Sequence, residues 1–193
     1  MIVRHPVAAS GDAAREARPL RQGGEPGWLS QVPEGRDLSR DELSRIARAV
    51  ARDLGAWSDL VRRDSTRRHY AQLHRDPHLD VWLLCWTDDQ DTGLHDHDVS
   101  AGAVHVCMGG LVEERLELRD GVFSRTAVER GEGSTFDFDA SHVHCIRHPG
   151  GPRLAVSIHV YSPALWRMGY YEIGGDSVLR RVSVSYAEEL AAV

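Results

Sequence analysis

Two hydrophobic periods divide the chain. Between Ser39 and Leu54 the apolar residues recur at helical spacing. Leu43, Ile46, Ala47, Val50 and Leu54 share one face, behind a Ser39–Glu42 capping box in LSRDELSRIARAV and ahead of a stop at Gly55. Trp57, Leu60, Val61 and Leu73 extend the pattern into a second helix from Trp57 to about His74, closed by Asp76-Pro77. From Leu79 onward the pattern is that of strands. LDVWLLCW reads as a buried strand and AGAVHVCMGGLVEERLEL as two strands broken at Gly109-Gly110, with GVFSRTAVERG, STFDFD, HVHCIRH and RLAVSIHVYS supplying further short ones. Gly, Pro, Asp and Ser clusters separate them at regular intervals, the rhythm of an all-β barrel or sandwich. The tail from Pro163 to Val193 reads as irregular, with one more strand or turn near VLRRVSVSYA. Residues 1–37, rich in Gly, Pro, Arg and Glu, read as a mobile or loosely docked arm. Residues 38–193 then form one domain that includes the two N-terminal helices.

Composition adds exclusions. A chain of 193 residues suits one domain with a full core. A net charge of −6 with no basic stripe and no helix-turn-helix pattern argues against nucleic acid as a partner. No apolar run approaches the roughly 18 residues of a membrane span, and the N-terminus lacks the apolar core of a secretory signal. The expectation is a cytoplasmic protein with no membrane partner. Cys85, Cys107 and Cys145 cannot all pair, sit among apolar residues and read as packing thiols in a reducing compartment. His105 and Met108 read as barrel filling.

The stretch GLHDHDVSAG carries the first candidate chemistry. In a strand, His95 and His97 project together and Asp96 turns away. If the strands close into a small barrel, both imidazoles face its interior, where a metal would satisfy them at once; a solvated loop pair is the other reading. SHVHCIRH repeats the spacing with His142 and His144 on a later strand. Either could complete a facial three-nitrogen set with positions open for substrate and oxygen. Such a neutral set suits iron(II), while spacing alone leaves manganese, nickel, copper and zinc open. In VSIHVYSP, Ser157, His159 and Tyr161 alternate and share a face. A hydroxyl, an imidazole and a phenol so aligned can form a hydrogen-bonded relay, and a buried polar stripe is costly unless each group is paired.

LHDH, the Gly-rich strand after it, VHCIRH and VSIHVYSP, with Trp86 nine residues before His95, resemble the cysteine dioxygenase family of the cupin superfamily over about residues 60–170. The resemblance implies an all-β cupin (jelly-roll) barrel with N-terminal helices. It implies Fe(2+) held by His95, His97 and His144, with His144 preferred to His142 for its offset from SIHVYSP. It implies Ser157, His159 and Tyr161 as the catalytic group, the tyrosine hydroxyl pointing at the iron. The implied reaction takes O2 and a small-molecule thiol, cysteine or a related one, to the sulfinic acid. Typical cupins carry a glutamate ligand where this chain has Ala101 and Gly102, and that absence marks the thiol dioxygenase branch. Gly102 also stands where the animal enzymes carry a cysteine crosslinked to the tyrosine, so no crosslink is expected. In the family an arginine before the LLCW-type strand pairs with the substrate carboxylate. Ungapped counting puts His69 there, alignment on LHRDP puts Tyr70 there, and a one-residue slip restores Arg68. Arg68 and Tyr70 are the substrate-binding candidates, beside the plain reading of Arg67 and Arg68 as a solvated helix face. A monomer is expected, with a dimer as the alternative. The competing function is a metal-binding cupin of another class, a non-thiol dioxygenase or a small-ligand binding protein.

Overall fold

A computed structural model describes residues 26–88, 90–119, 122–174 and 179–185. Helix α1 (Arg40–Arg52) begins as its sequence dictates. The Ser39 side chain accepts from the Glu42 backbone N–H, and the Glu42 carboxylate accepts from the Ser39 N–H. The helix ends at Asp53 rather than at Gly55, and Leu54, expected on its apolar face, is exposed. A four-residue turn, α2 (Leu54–Trp57), follows.

The strands are β1 (His69–Arg75), β2 (Asp80–Trp86), β3 (His95–Asp96), β4 (Ala101–Met108), β5 (Gly110–Arg119), β6 (Val122–Gly131), β7 (Thr135–Phe138), β8 (His144–Arg147), β9 (Ala155–Ser162), β10 (Arg167–Ile173) and β11 (Leu179–Ser185). They form two antiparallel sheets, ordered β1-β2-β9-β4-β7 and β11-β10-β3-β8-β5-β6. This is the cupin jelly-roll. The inner faces enclose Trp82, Trp86, Val104, Val106, Leu111, Phe136, Phe138 and Ile146. A second core lies outside the five-stranded sheet, where Leu43, Ile46, Ala47 and Val50 of α1 cover Val81, Leu83, Ala103, Ile158 and Val160. Both sides of β2 and β9 are therefore buried, which is why LDVWLLCW is a nearly unbroken hydrophobic run and RLAVSIHVYS is interrupted only by its inward polar stripe.

Three expectations need correction. The second helix over Trp57–His74 does not form. Trp57, Leu60 and Val61 pack together in a short turn, and His69–Arg75 is a strand paired with β2. Ala71 and Leu73 lie toward the helix core and Tyr70 toward the barrel, so pairing and burial on two faces override the helical spacing. The tail is more regular than its sequence suggests, since β10 and β11 pair in register over seven residues. His105 does not fill the barrel: it lies opposite Ile158 on the outer face and its Nδ1 bonds the Thr135 hydroxyl at 2.8 Å, while Met108 is exposed.

Of the arm expected over residues 1–37, residues 1–25 lie outside the described residues. The remainder carries Trp28, which is 2% exposed and packs edge-on against His74 at 5.8 Å between ring centroids. No helix among the described residues is long and apolar enough to cross a membrane.

Candidate metal centre

Strand pairing assembles the three histidines. His95 on β3 lies directly opposite His144 on β8, and opposed residues of antiparallel strands share a face. His97, two residues on, returns to the same side. The three rings stand 4.8 to 5.2 Å apart between centroids, and one nitrogen from each lies within 4.8 Å of the others. All three are buried.

The hydrogen bonds behind the rings decide which nitrogen is presented. His95 Nδ1 is 3.0 Å from the Gly93 carbonyl, which can only accept, so Nδ1 carries the proton and Nε2 is bare. His144 Nδ1 is 3.3 Å from Glu113 Oε1 and is fixed in the same tautomer. Among the described residues, His97 has no hydrogen-bond partner at either ring nitrogen, although both are buried. An unpartnered buried imidazole is costly, and a cation between the three rings would satisfy it. Burial first, then the neighbouring histidines, hold His95 and His97 well below the usual histidine pKa. Neutral imidazole is the ligating form, so this donor set fits a transition-metal ion.

Glu113 stands behind His144, and no feature of LVEERLEL singles it out beyond its place two residues after inward-facing Leu111. It is fully buried. Its Oε1 accepts from His142 Nε2 at 3.0 Å and from His144, and its Oε2 from Arg115 at 2.9 Å and Arg130 Nε at 3.1 Å. Burial pushes the Glu113 carboxyl up, but these four donors outweigh it and hold the group well below the carboxylate range. His142 thus turns to Glu113, where it, His144 and the carboxylate form a second cluster of potential ligands. The arrangement matches the carboxylate–histidine support common behind metal ligands.

The stripe on β9 forms a continuous chain. Trp86 Nε1–H donates to Ser157 Oγ at 2.9 Å, Ser157 Oγ lies 2.9 Å from His159 Nε2, and His159 Nδ1 lies 3.1 Å from Tyr161 Oη. An indole can only donate, so Ser157 Oγ accepts there, which leaves its own proton free for His159. In one tautomer Ser157 donates to His159 Nε2 and His159 Nδ1–H donates to Tyr161 Oη; in the other His159 Nε2–H donates to Ser157 and Tyr161 Oη donates to Nδ1. Burial first, then His144 and Arg68, push the His159 pKa down to about 3, which keeps the ring neutral. Tyr161 meets the metal-side cluster at His97, with ring centroids 5.0 Å apart. Gly102 lies opposite Tyr161, and a Cβ there would come within 2.4 Å of Phe138 and 3.0 Å of Tyr161. Phe138, stacked on His97 at 4.7 Å, fills that space.

Strand parity sorts the three candidates at the start of β1. His69 turns outward and its Nε2 bonds the Leu60 carbonyl at 3.0 Å. Tyr70 faces the barrel, edge-on to Trp82 at 5.7 Å. Arg68, just before the strand, lies over the Trp86 ring at 4.9 Å and donates to the Asp91 carbonyl at 2.7 Å. Its charge is close enough to lower the pKa of both His95 and His159. Arg67 is exposed, 3.8 Å from Asp64. The three cysteines form no disulfide, and burial raises each thiol, Cys107 up to about 12.

The sequence model of the cysteine dioxygenase type I family matches residues 28–173. Human cysteine dioxygenase type 1 is 23% identical over 141 residues, spanning 70% of this chain and 70% of the human one. Among solved structures, a protein of Thermus thermophilus aligns with a TM-score of 0.47 at 16% identity, over 55% of this chain and 92% of that one. A cupin superfamily protein of Desulfitobacterium hafniense aligns with a TM-score of 0.45 at 10% identity, over 55% and 87%.

Proposed function

Because the chain belongs to the cysteine dioxygenase type I family, we propose that it is an iron(II)-dependent dioxygenase. Its reaction takes a small thiol, R–SH, and O2 to the sulfinic acid, R–SO2H. The observation that carries this reading is the meeting of three buried, neutral imidazoles with a hydroxyl–imidazole–phenol chain inside one barrel. His95, His97 and His144 would hold the metal. Iron(II) bound there would supply the redox chemistry that joins dioxygen to sulfur.

The remaining residues orient substrate and protons. Arg68 places a fixed positive charge beside His95 and His159, suited to the carboxylate of cysteine or a related mercaptocarboxylate. Tyr70, on the same barrel face, borders the far end of the thiol. With His159 protonated at Nδ1, Tyr161 Oη accepts from it and keeps its own proton for an oxygen of the reacting pair, while Ser157 donates to His159 Nε2 and Trp86 donates to Ser157. Phe138 and the apolar lining exclude water around His97.

The test is to load the protein with iron(II) without air, then add O2 and a panel of L-cysteine, 3-mercaptopropionate, cysteamine and thiol-imidazoles. Mass spectrometry should find one thiol gaining two oxygen atoms, and no gain with His144→Ala. No oxidised thiol from an iron-loaded wild-type protein would refute the proposed reaction.

A further inference from the structure

Asp96 stands between His95 and His97 and turns to the opposite side of β3. There Tyr171 donates its hydroxyl proton to Oδ2 at 2.6 Å, and Arg181 grips both oxygens, Nε to Oδ2 at 2.6 Å and NH2 to Oδ1 at 2.8 Å. Oδ1 also accepts the Asp98 backbone N–H at 2.8 Å. That bond closes the turn after His97, in which Asp98 adopts a left-handed φ of 55°. One carboxylate therefore fixes the strand holding His95 and the turn holding His97.

Arg181 reaches Asp96 across an intervening strand. It lies on β11, and Gly169 of β10 is directly opposite Asp96. A Cβ on Gly169 would come within 2.2 Å of Arg181 Nε and 2.5 Å of its Cζ, so the guanidinium rests where a side chain is missing. β3 itself is only two residues long and has one partner position on β8 and two on β10. Ladder bonds alone hold it weakly, yet its histidines must face one another with bare nitrogens converging. Arg181 also lies beyond the 28–173 segment that the family model matches.

We propose that Arg181 is a positioning residue of the metal centre: seated on Gly169, its guanidinium holds Asp96 and through it sets His95 and His97 in ligating geometry. The inference rests on the metal-binding reading above. Its effect is on metal affinity and coordination geometry, because a ligand pair that wanders must be reordered when the ion binds.

The test uses Co(II) alone as the probe, with the dissociation constant and the visible absorption bands as readouts on full-length protein that circular dichroism shows to be folded. Arg181→Gln should weaken Co(II) binding about ten- to a hundredfold and alter the bands. Gly169→Ala, which displaces the guanidinium while keeping both charges, should do the same and carries the test should Arg181→Gln not fold. Arg181→Lys should fall between, since a point charge cannot grip both oxygens. Leu43→Ala, which weakens the fold beneath α1, should bind Co(II) like the wild type. Wild-type affinity and spectrum in both Arg181→Gln and Gly169→Ala would overturn the proposal. Failure of the wild type itself to bind Co(II) would remove the metal-binding reading, and this inference with it.

Discussion

His97 shows the cost of the site most plainly. Both its nitrogens are buried and unpartnered among the described residues, so in metal-free protein it is a liability of about 1–3 kcal/mol. His97→Leu should therefore raise the melting temperature of the metal-free protein while abolishing metal binding, a comparison that calorimetry with and without the ion reads directly. Glu113→Gln tests the support behind His144. It keeps the shape but leaves Arg115 and Arg130 facing a neutral amide, and metal affinity should fall about ten- to a hundredfold. The two residues differ in how they could be found. Strand parity puts His95 and His97 on one face, but it leaves His142 and His144 open, and the preference for His144 comes from the family resemblance. Glu113 was not legible, because its partners come from β5, β6 and β8 and the segment EER reads as a solvated face until those strands are paired.

At the scale of elements, β1 carries the sharpest expectation. Arg68→Gln should raise the KM for a carboxylate-bearing thiol at least tenfold, from the loss of a charge-assisted contact, with a smaller change for a thiol lacking the carboxylate. His69→Gln, on the outward face, should leave KM unchanged. The same strand was misread as helix, because Trp57, Leu60, Val61 and Leu73 fit helical spacing by coincidence. A strand half-buried on both faces carries no clean alternation, and a shift of register between Gln72 and His74 blurs it further. Helix α1 was legible to within two residues of its end because its start is written locally in the capping box. Ser39→Ala should cost about 1 kcal/mol in denaturant unfolding. Arg36 and the Ser39 N–H hold Glu42 down to about 2 from its usual 4.5. The folded carboxylate is thus harder to protonate than the unfolded one. Its stabilisation is complete above pH 4.5 and is lost as pH falls toward 2, and the stability difference between wild type and Glu42→Gln should shrink over that window.

In the whole molecule, the two cores divide the labour. The core between α1 and the five-stranded sheet is mostly apolar and stabilises the barrel wall from outside; the interior core shares its space with the histidines and the relay. Leu43→Ala should therefore destabilise the fold by about 2–5 kcal/mol without moving the metal site. Strand rhythm made an all-β barrel or sandwich legible, and the choice of the jelly-roll barrel comes from the family resemblance carried by LHDH, VHCIRH and VSIHVYSP. The regularity of the tail was not legible, since β11 is mostly exposed and gains its order from pairing with β10 and from the Arg181–Asp96 contact. The central claim is that this barrel passes both atoms of dioxygen to a thiol sulfur. The most direct measurement supplies iron-loaded protein and the accepted thiol with 18O2 and weighs the sulfinate. Two heavy oxygens in each product molecule, absent with His144→Ala, are the predicted result. One heavy oxygen, or a disulfide in place of the sulfinate, would contradict the account.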